Sequence, residues 1–249
     1  HGSRSMAIAG RMLRKKTVVT FDYEYVEHKI FNFFSSKLLL PEDLKGDSLG
    51  DIGYKLEKIE FYPGYKEQVY LSDHIVDTSF QQNLQADKKN IIVSARPPAT
   101  KSHYYSKEIN EMFWETVKFV SKNPSVVVHI VPRYDDTVTG IEEISKSIGK
   151  NIFVLRKPVN GLDLLWYSDL FIGAGGTMNR EAALLHTPSY SLFYKKGGID
   201  HSLEEKGLLH FIHSEDDIEK IRLEKKQKAR DLHFTNLKSF FIDYLLNFH

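Results

Sequence analysis

The chain contains no cysteine, which excludes disulfides, a thiolate nucleophile and any Cys-ligated metal. An excess of one charge sign is missing too. The 34 Lys and Arg against 33 Asp and Glu leave a formal net charge of +1. Bulk electrostatics therefore give no reason to expect nucleic acid or an anionic membrane surface as partner. No apolar run approaches the roughly 18 residues that a spanning helix needs, and no signal-peptide pattern opens the chain. Together these absences lead to the expectation of a soluble, cytoplasmic protein. There is no Gly-Lys-Ser/Thr phosphate loop, no Ser-His-Asp signature, no repeat and no low-complexity segment. The 11 histidines show no His-x-x-x-His spacing backed by acids, so no metal is expected.

What is present is the composition of a globular protein, 41% hydrophobic and 27% charged over 249 residues, enough for one large core or two modest ones. Periodicity predicts helices over residues 3–14 and 25–35 and strands over 17–21 and 37–40, the second ended by Pro41. A stretch with Gly46, Gly50, Gly53, Pro63 and Gly64 reads as connecting material. Beyond it, buried strands at 90–94, 125–131, 152–155, 170–172 and 190–193 alternate with helices at 106–122, 139–148 and 161–167 and a short one from Thr177 stopped by Pro188. Further helices are expected at 202–206, 215–228 and from about 230 to 248. Alternation of this kind implies parallel sheets with crossover helices. Two α/β domains follow, 1–75 and 76–249, with the last helix packing back on the first domain. The first is undersized, because two strands and two helices make a poor independent core.

Three groups of residues carry chemistry. The first is the turn Gly173-Ala174-Gly175-Gly176 between a strand and a helix. Glycines there let a ligand approach the backbone, and the helix N-terminus favours an anionic group. Glu181 follows within the first helical turns. It reads either as a carboxylate accepting ribose hydroxyls or as a solvated acid complementing the dipole, and composition does not separate the two. Met178, Ala182 and Leu185 form a core-facing stripe with Glu181 at its edge. The second group is the strand end 94–101, where Arg96 could give bidentate hydrogen bonds to a diphosphate with Thr100 or Lys101 in support. Arg133 ends another strand in the same way and reads as structural. The third is Asp22-Tyr23-Glu24 together with His1, candidates for general acid/base work beside the bland reading of exposed acids after a strand. His129, inside an apolar strand, reads as a satisfied core residue, His103-Tyr104-Tyr105 as a helix-start cluster, and Lys225-Lys226-Gln227-Lys228 as a solvated helix face.

From Asp163 to Phe193 the chain resembles the nucleotide-binding half of GT-B-type enzymes, namely the UDP-GlcNAc 2-epimerases and the GlcNAc transferase that completes lipid II. The interval from Gly175 through Glu181 to Pro188 matches the transferase spacing. The resemblance implies that Gly175, Gly176, Thr177 and Arg96 contact a diphosphate and Glu181 the ribose, with a UDP-sugar as substrate, an unknown acceptor and no separate cofactor. His1-Gly2-Ser3 resembles the epimerases' His-Gly-Asp turn, with Ser3 in place of the aspartate, and Asp22 falls near an epimerase acid/base glutamate. Over most of its length the chain more closely resembles a prokaryotic family of unknown function in the same superfamily. The segments that carry this are His1-Gly2-Ser3, residues 62–67 with 69–71, Arg96-Pro97-Pro98-Ala99-Thr100 and the glycine turn. Those relatives have further strands before the His-Gly turn, so the resemblance implies a GT-B-like pair of Rossmann-like domains with an incomplete first one. Glycosyl transfer is the expected reaction. Epimerisation, hydrolysis and a non-catalytic sugar-nucleotide sensor are its rivals.

Overall fold

The computed structural model describes residues 2–46, 48–100, 105–133, 137–193, 197–227, 234 and 236–248. The chain forms two compact units: His1–Asp73 with Lys196–Ser202 and His233–His249, and His74–Lys195 with Leu203–Leu232. His1, Lys101, His103, Tyr104 and Lys228, all singled out above, lie outside the described residues.

The first unit opens with α1 (Arg4–Met12), capped by Ser3, whose Oγ accepts from Met6 N at 3.2 Å. Then come β1 (Val18–Thr20), α2 (His28–Phe34), β2 (Lys37–Pro41), α3 (Ser48–Ile52), β3 (Ile59–Tyr62) and α4 (Gln68–Leu71). The strands pair in parallel in the order β1-β2-β3, with Leu39 opposite both Thr20 and Glu60. The sequence reading gave this unit two strands. It missed β3 because Glu60 and Tyr62 interrupt an apolar run and the flanking glycines and prolines read as a linker. In fact Tyr62 is fully buried and Glu60 is held by Lys37 at 2.6 Å and by the Tyr244 hydroxyl at 2.7 Å.

The second unit runs β4 (Ile91–Arg96), α5 (Lys107–Ser121), β5 (Val126–Ile130), α6 (Val138–Ile148), β6 (Ile152–Val154), α7 (Gly161–Tyr167), β7 (Leu170–Gly173), α8 (Thr177–Leu184) and β8 (Ser189–Ser191). It continues through α9 (Gly198–Glu205), which begins in the first unit, to β9 (Leu209–Phe211) and α10 (Glu215–Glu219). The sheet is all parallel in the order β6-β5-β4-β7-β8-β9. Its sixth strand, β9, escaped the sequence reading because His210 breaks a three-residue run. Val93, Ala95, Val128, Ile130 and Ile172 face α5 and α6 in one core, with Phe113 and Val117 of α5 fully buried against them. The alternate residues Ser94, His129 and Phe171 share the other face, where Ser94 Oγ meets Ser168 Oγ at 2.5 Å at the end of α7. Helices on both faces explain the nearly continuous apolar strands. The closing helix α11 (Leu237–Leu246) packs on α4 and places Leu237 and Phe241 against Leu39 and Tyr62.

Two readings of the sequence are corrected here. The helix expected over 215–228 ends at Glu219, and residues 221–227 have no helical structure. Lys225 and Lys226 do not form a solvated face. The buried Asp169 carboxylate accepts from Ile92 N at 2.8 Å, Lys225 Nζ at 2.7 Å and Lys226 N at 2.9 Å. Lys226 Nζ in turn donates to the Leu165 and Trp166 carbonyls in the last turn of α7 and to Thr187 Oγ1. Local hydrogen-bond demand thus overrides helix propensity. Lys226→Met leaves these acceptors dry and is expected to cost about 2–3 kcal/mol, read as a lowered urea midpoint at unchanged slope.

His129 is the second correction. It is 1% exposed, and neither ring nitrogen has a hydrogen-bond partner among the described residues; only the Phe153 ring stacks on it, at 6.0 Å. Burial lowers its pKa from 6.5 to about 4. The neutral form is therefore the folded form, and the unfolded chain binds the proton more tightly. Stability from this group is intact above about pH 6.5 and drains away as pH falls towards 4, by about 3 kcal/mol in all. Both tryptophans, Trp114 and Trp166, lie in this unit, so their fluorescence reports it. His129→Leu should flatten the fall in urea midpoint between pH 6.5 and 4; an unchanged fall would assign it to the carboxylates.

Candidate functional site

In the second unit the chain leaves β4 towards β5 and β6 and later returns to lay β7 on the other side of β4. This reversal of strand order is where ligands collect in open parallel sheets, beyond the carboxyl ends of the strands. Arg96, the last residue of β4, is the register partner of Gly173, the last residue of β7. The arginine and the glycine turn predicted as one site are therefore neighbours.

The turn itself explains its glycines. Gly175 has φ +79° and Gly176 φ +88° with ψ −166°, conformations that side-chain-bearing residues avoid. A Cβ on Gly175 would lie 2.6 Å from the Phe193 Cβ, whereas one on Gly176 would meet nothing within 4 Å among the described residues. Gly176 is the N-cap of α8 and brings no side chain to the first-turn N–H groups, and it and Thr177 are exposed. Open space over a helix N-terminus without a side-chain cap suits an anion. Behind the turn, Asn179 is buried and its Nδ2 donates to Ser189 Oγ at 3.1 Å and to the Tyr190 carbonyl at 3.0 Å, which ties α8 to β8.

A cavity of about 400 Å³ lies at the strand ends. Among the described residues its cationic lining is Arg96, Arg133, Arg156 and Lys157, and its one carboxylate is Glu181, beside Met178. Spacing by three places Met178 and Glu181 on one face of α8, while Ala182 and Leu185 are buried in the core. One Arg96 guanidinium nitrogen lies 3.5 Å from Met178 Sδ, so the β4 end reaches the first turn of α8. Arg133, which the sequence reading set aside as structural, does donate from Nε to the Pro97 carbonyl at 3.2 Å, but it also lines the cavity. Arg156 and Lys157 were missed because an exposed basic pair after a short strand carries no pattern of its own. Arg156 is forked onto Glu142 at 2.6 and 2.8 Å. Gly175, Gly176 and Thr177 form the neighbouring turn and do not line this cavity.

The acid/base candidates belong to the first unit. Asp22 follows β1 and is paired with Lys66 Nζ at 2.5 Å. Glu24 is not the exposed acid of the bland reading: it is buried, and its Oε1 accepts from Gly198 N at 2.7 Å at the start of α9. Among the described residues, no group of three His, Asp or Glu could hold a metal ion, and no helix is long and apolar enough to cross a membrane.

Residues 16–246 match the family described as protein of unknown function DUF354. The chain belongs to this family. An uncharacterized protein of Methanocaldococcus jannaschii, MJ0665, is 36% identical over 98 residues, which cover 37% of this chain and 28% of that protein. Among solved structures, the UDP-GlcNAc 2-epimerase of Neisseria meningitidis bound to UDP-GlcNAc superposes with a TM-score of 0.71 at 13% identity, over 98% of this chain and 73% of that one. The UDP-GlcNAc 2-epimerase of Methanocaldococcus jannaschii in complex with UDP-GlcNAc and UDP gives 0.70 at 16%, over 98% and 72%. Alr3699/HepE of Anabaena in complex with UDP gives 0.58 at 16%, over 97% and 66%. This DUF354 chain thus spans about two thirds of HepE and a smaller part of the curated relative. The fold is that of the GT-B proteins, as the sequence resemblance implied.

The turn geometry of this DUF354 chain has a direct consequence. Because a Cβ at Gly176 clashes with nothing among the described residues, Gly176→Ala isolates the backbone strain, about 1–3 kcal/mol. The expected outcome is a lowered thermal midpoint or a relaxed turn, seen in the amide spectrum of residues 174–178.

Proposed function

We propose that this chain binds a nucleoside diphosphate sugar, most simply a UDP-sugar, and transfers its glycosyl group to an acceptor. The observation that carries the reading is the register partnership of Arg96 with Gly173, which sets a guanidinium beside the first turn of α8. In this reading the α8 N-terminus at Gly175, Gly176 and Thr177 and the Arg96 guanidinium hold the diphosphate. Both act on negative charge that grows as the sugar–phosphate bond breaks, so they favour the transition state over the bound donor. Glu181 accepts the ribose hydroxyls from the cavity wall, and Arg133 and Lys157 add to the cationic field. Asp22, held by Lys66, and His1 are the proton-handling candidates of the first unit. Support comes from the solved neighbours, which hold UDP or UDP-GlcNAc.

Epimerisation is the second reading, favoured by the higher TM-scores to the two epimerases than to HepE. Against it, Ser3 stands where the epimerases' aspartate would be, and its hydroxyl is occupied in capping α1.

Calorimetry with UDP, UMP and UDP-GlcNAc tests the binding. UDP should bind at least tenfold tighter than UMP, since the second phosphate gains charge-assisted hydrogen bonds. Arg96→Ala is expected to weaken UDP about 10- to 100-fold, and Glu181→Ala about tenfold without lowering the thermal midpoint. A chain that binds none of the three nucleotides ends the reading. Full affinity in Glu181→Ala would return that residue to its dipole role. Release of free UDP in the presence of acceptors separates transfer from epimerisation, which keeps UDP on the sugar.

A further inference from the structure

A second cationic cavity lies in the first unit, at the end of the sheet where β1 begins. It measures about 560 Å³ and is lined by Arg11, Arg14, Lys15, Lys16, Lys58, Phe34, Ser35 and Ser36. Among the described residues its lining holds five cations and no acid. Some of this charge has a local use. Arg11 sits in the last turn of α1, where cations complement the helix dipole, and Lys58 Nζ donates to the Asn32 and Ser35 carbonyls at the end of α2. The Lys58 pKa is lowered chiefly by burial, with Lys55 and Arg11 adding to the shift and Glu57 opposing it.

Two further observations point to a ligand. Ser35 is 3% exposed, lines the cavity, and its Oγ has no hydrogen-bond partner among the described residues. A buried hydroxyl without a partner is costly unless something supplies one. Arg14 has φ +53° and closes α1, with Lys15 N donating to the Gly10 carbonyl at 2.8 Å and Arg14 N to the Arg11 carbonyl at 3.1 Å. That cap places its left-handed residue where glycine is the default, yet here an arginine occupies it and contributes a guanidinium to the cavity.

We propose that this cavity is a binding site for a phosphate-bearing anion, with Arg11, Arg14, Lys15 and Lys16 neutralising the charge and the Ser35 hydroxyl donating to an oxygen. It is independent of the nucleotide reading, whose residues all lie elsewhere in the chain. The phosphate comes either from a soluble diphosphate or from an anionic lipid headgroup. Exposed Met12, Leu13 and Phe33 border the basic residues in sequence and would suit the second source.

The test uses the whole chain carrying Arg96→Ala, which weakens the other cationic cavity, with Arg14→Gly and Ser35→Ala added separately. Pyrophosphate is titrated by calorimetry, and vesicles of phosphatidylglycerol with phosphatidylcholine are compared with pure phosphatidylcholine by co-sedimentation. Arg14→Gly should bind pyrophosphate about tenfold more weakly while its thermal midpoint holds or rises, since glycine suits the left-handed cap. Ser35→Ala should weaken it in the same direction. Loss of binding only to the anionic vesicles would support the site with a headgroup as its source. Binding of both probes unchanged by Arg14→Gly and by Ser35→Ala, or binding of neither probe by the parent, overturns the proposal.

Discussion

After β6 the chain has to cross back over β4 before it can add another strand, and the parallel pairing of β4 with β7 is the result. Everything at the candidate site depends on that one ladder. Its register sets Arg96 opposite Gly173, and the chain then turns at once into α8. Close packing behind the turn leaves little freedom: a Cβ on Gly173 would sit 2.5 Å from Asn179 Oδ1 and 2.8 Å from the Phe171 ring. The same asparagine fastens α8 to β8. A one-residue slip in the ladder would therefore displace the arginine, the turn and the helix together.

The second constraint is polar and buried. Asp163 and Asp169 lie within the core of the second unit, and each has donors on its oxygens. Asp163 accepts from His74 Nε2 and from Asp77 N, which secures the chain before β4 to α7. Asp169 does the same for residues 225–226 after α10. A carboxylate taken out of water is affordable only with such partners, so the two acids act as clamps on chain ends that apolar packing alone would leave loose. His129 lies in the same unit without comparable partners, which is why it is held neutral rather than charged.

Much of the fold was legible in the sequence because parallel strands buried on both faces read as plain apolar runs. The stretches around Val93, Val128 and Ile172 needed no alignment to be recognised. So was the pairing of Arg96 with the glycine turn, since both follow such runs directly. What failed to show were elements whose burial depends on distant partners. β3 is a strand because Tyr244 and Lys37 satisfy Glu60, and residues 221–227 leave the helix because Asp169 and the end of α7 need the lysines. Neither partner is near in sequence, so local periodicity could not reveal them. Helix ends were misplaced for a related reason. The helix after the glycine turn stops at a left-handed His186, with Thr187 N on the Ala182 carbonyl, before Pro188 is reached.

Net charge misled in a more general way. A sum of +1 is what remains when acids and bases cancel over a whole chain, and cancellation says nothing about where each sign resides. Here many acids are committed to local duties. Glu24 caps a helix, Asp217 is held at a pKa of about 2 by Lys220 and the turn before α10, and Glu142 takes up Arg156. Other bases gather in cavities: Arg96, Arg133 and Lys157 at the strand ends of the second unit, with Glu181 as the carboxylate among the described lining residues, and five cations in the first, with no acid among them. The potential that a ligand meets is set within a Debye length of about 8 Å, not by the whole molecule. A nearly neutral chain can therefore present strongly cationic cavities, provided its carboxylates are employed elsewhere in caps and clamps.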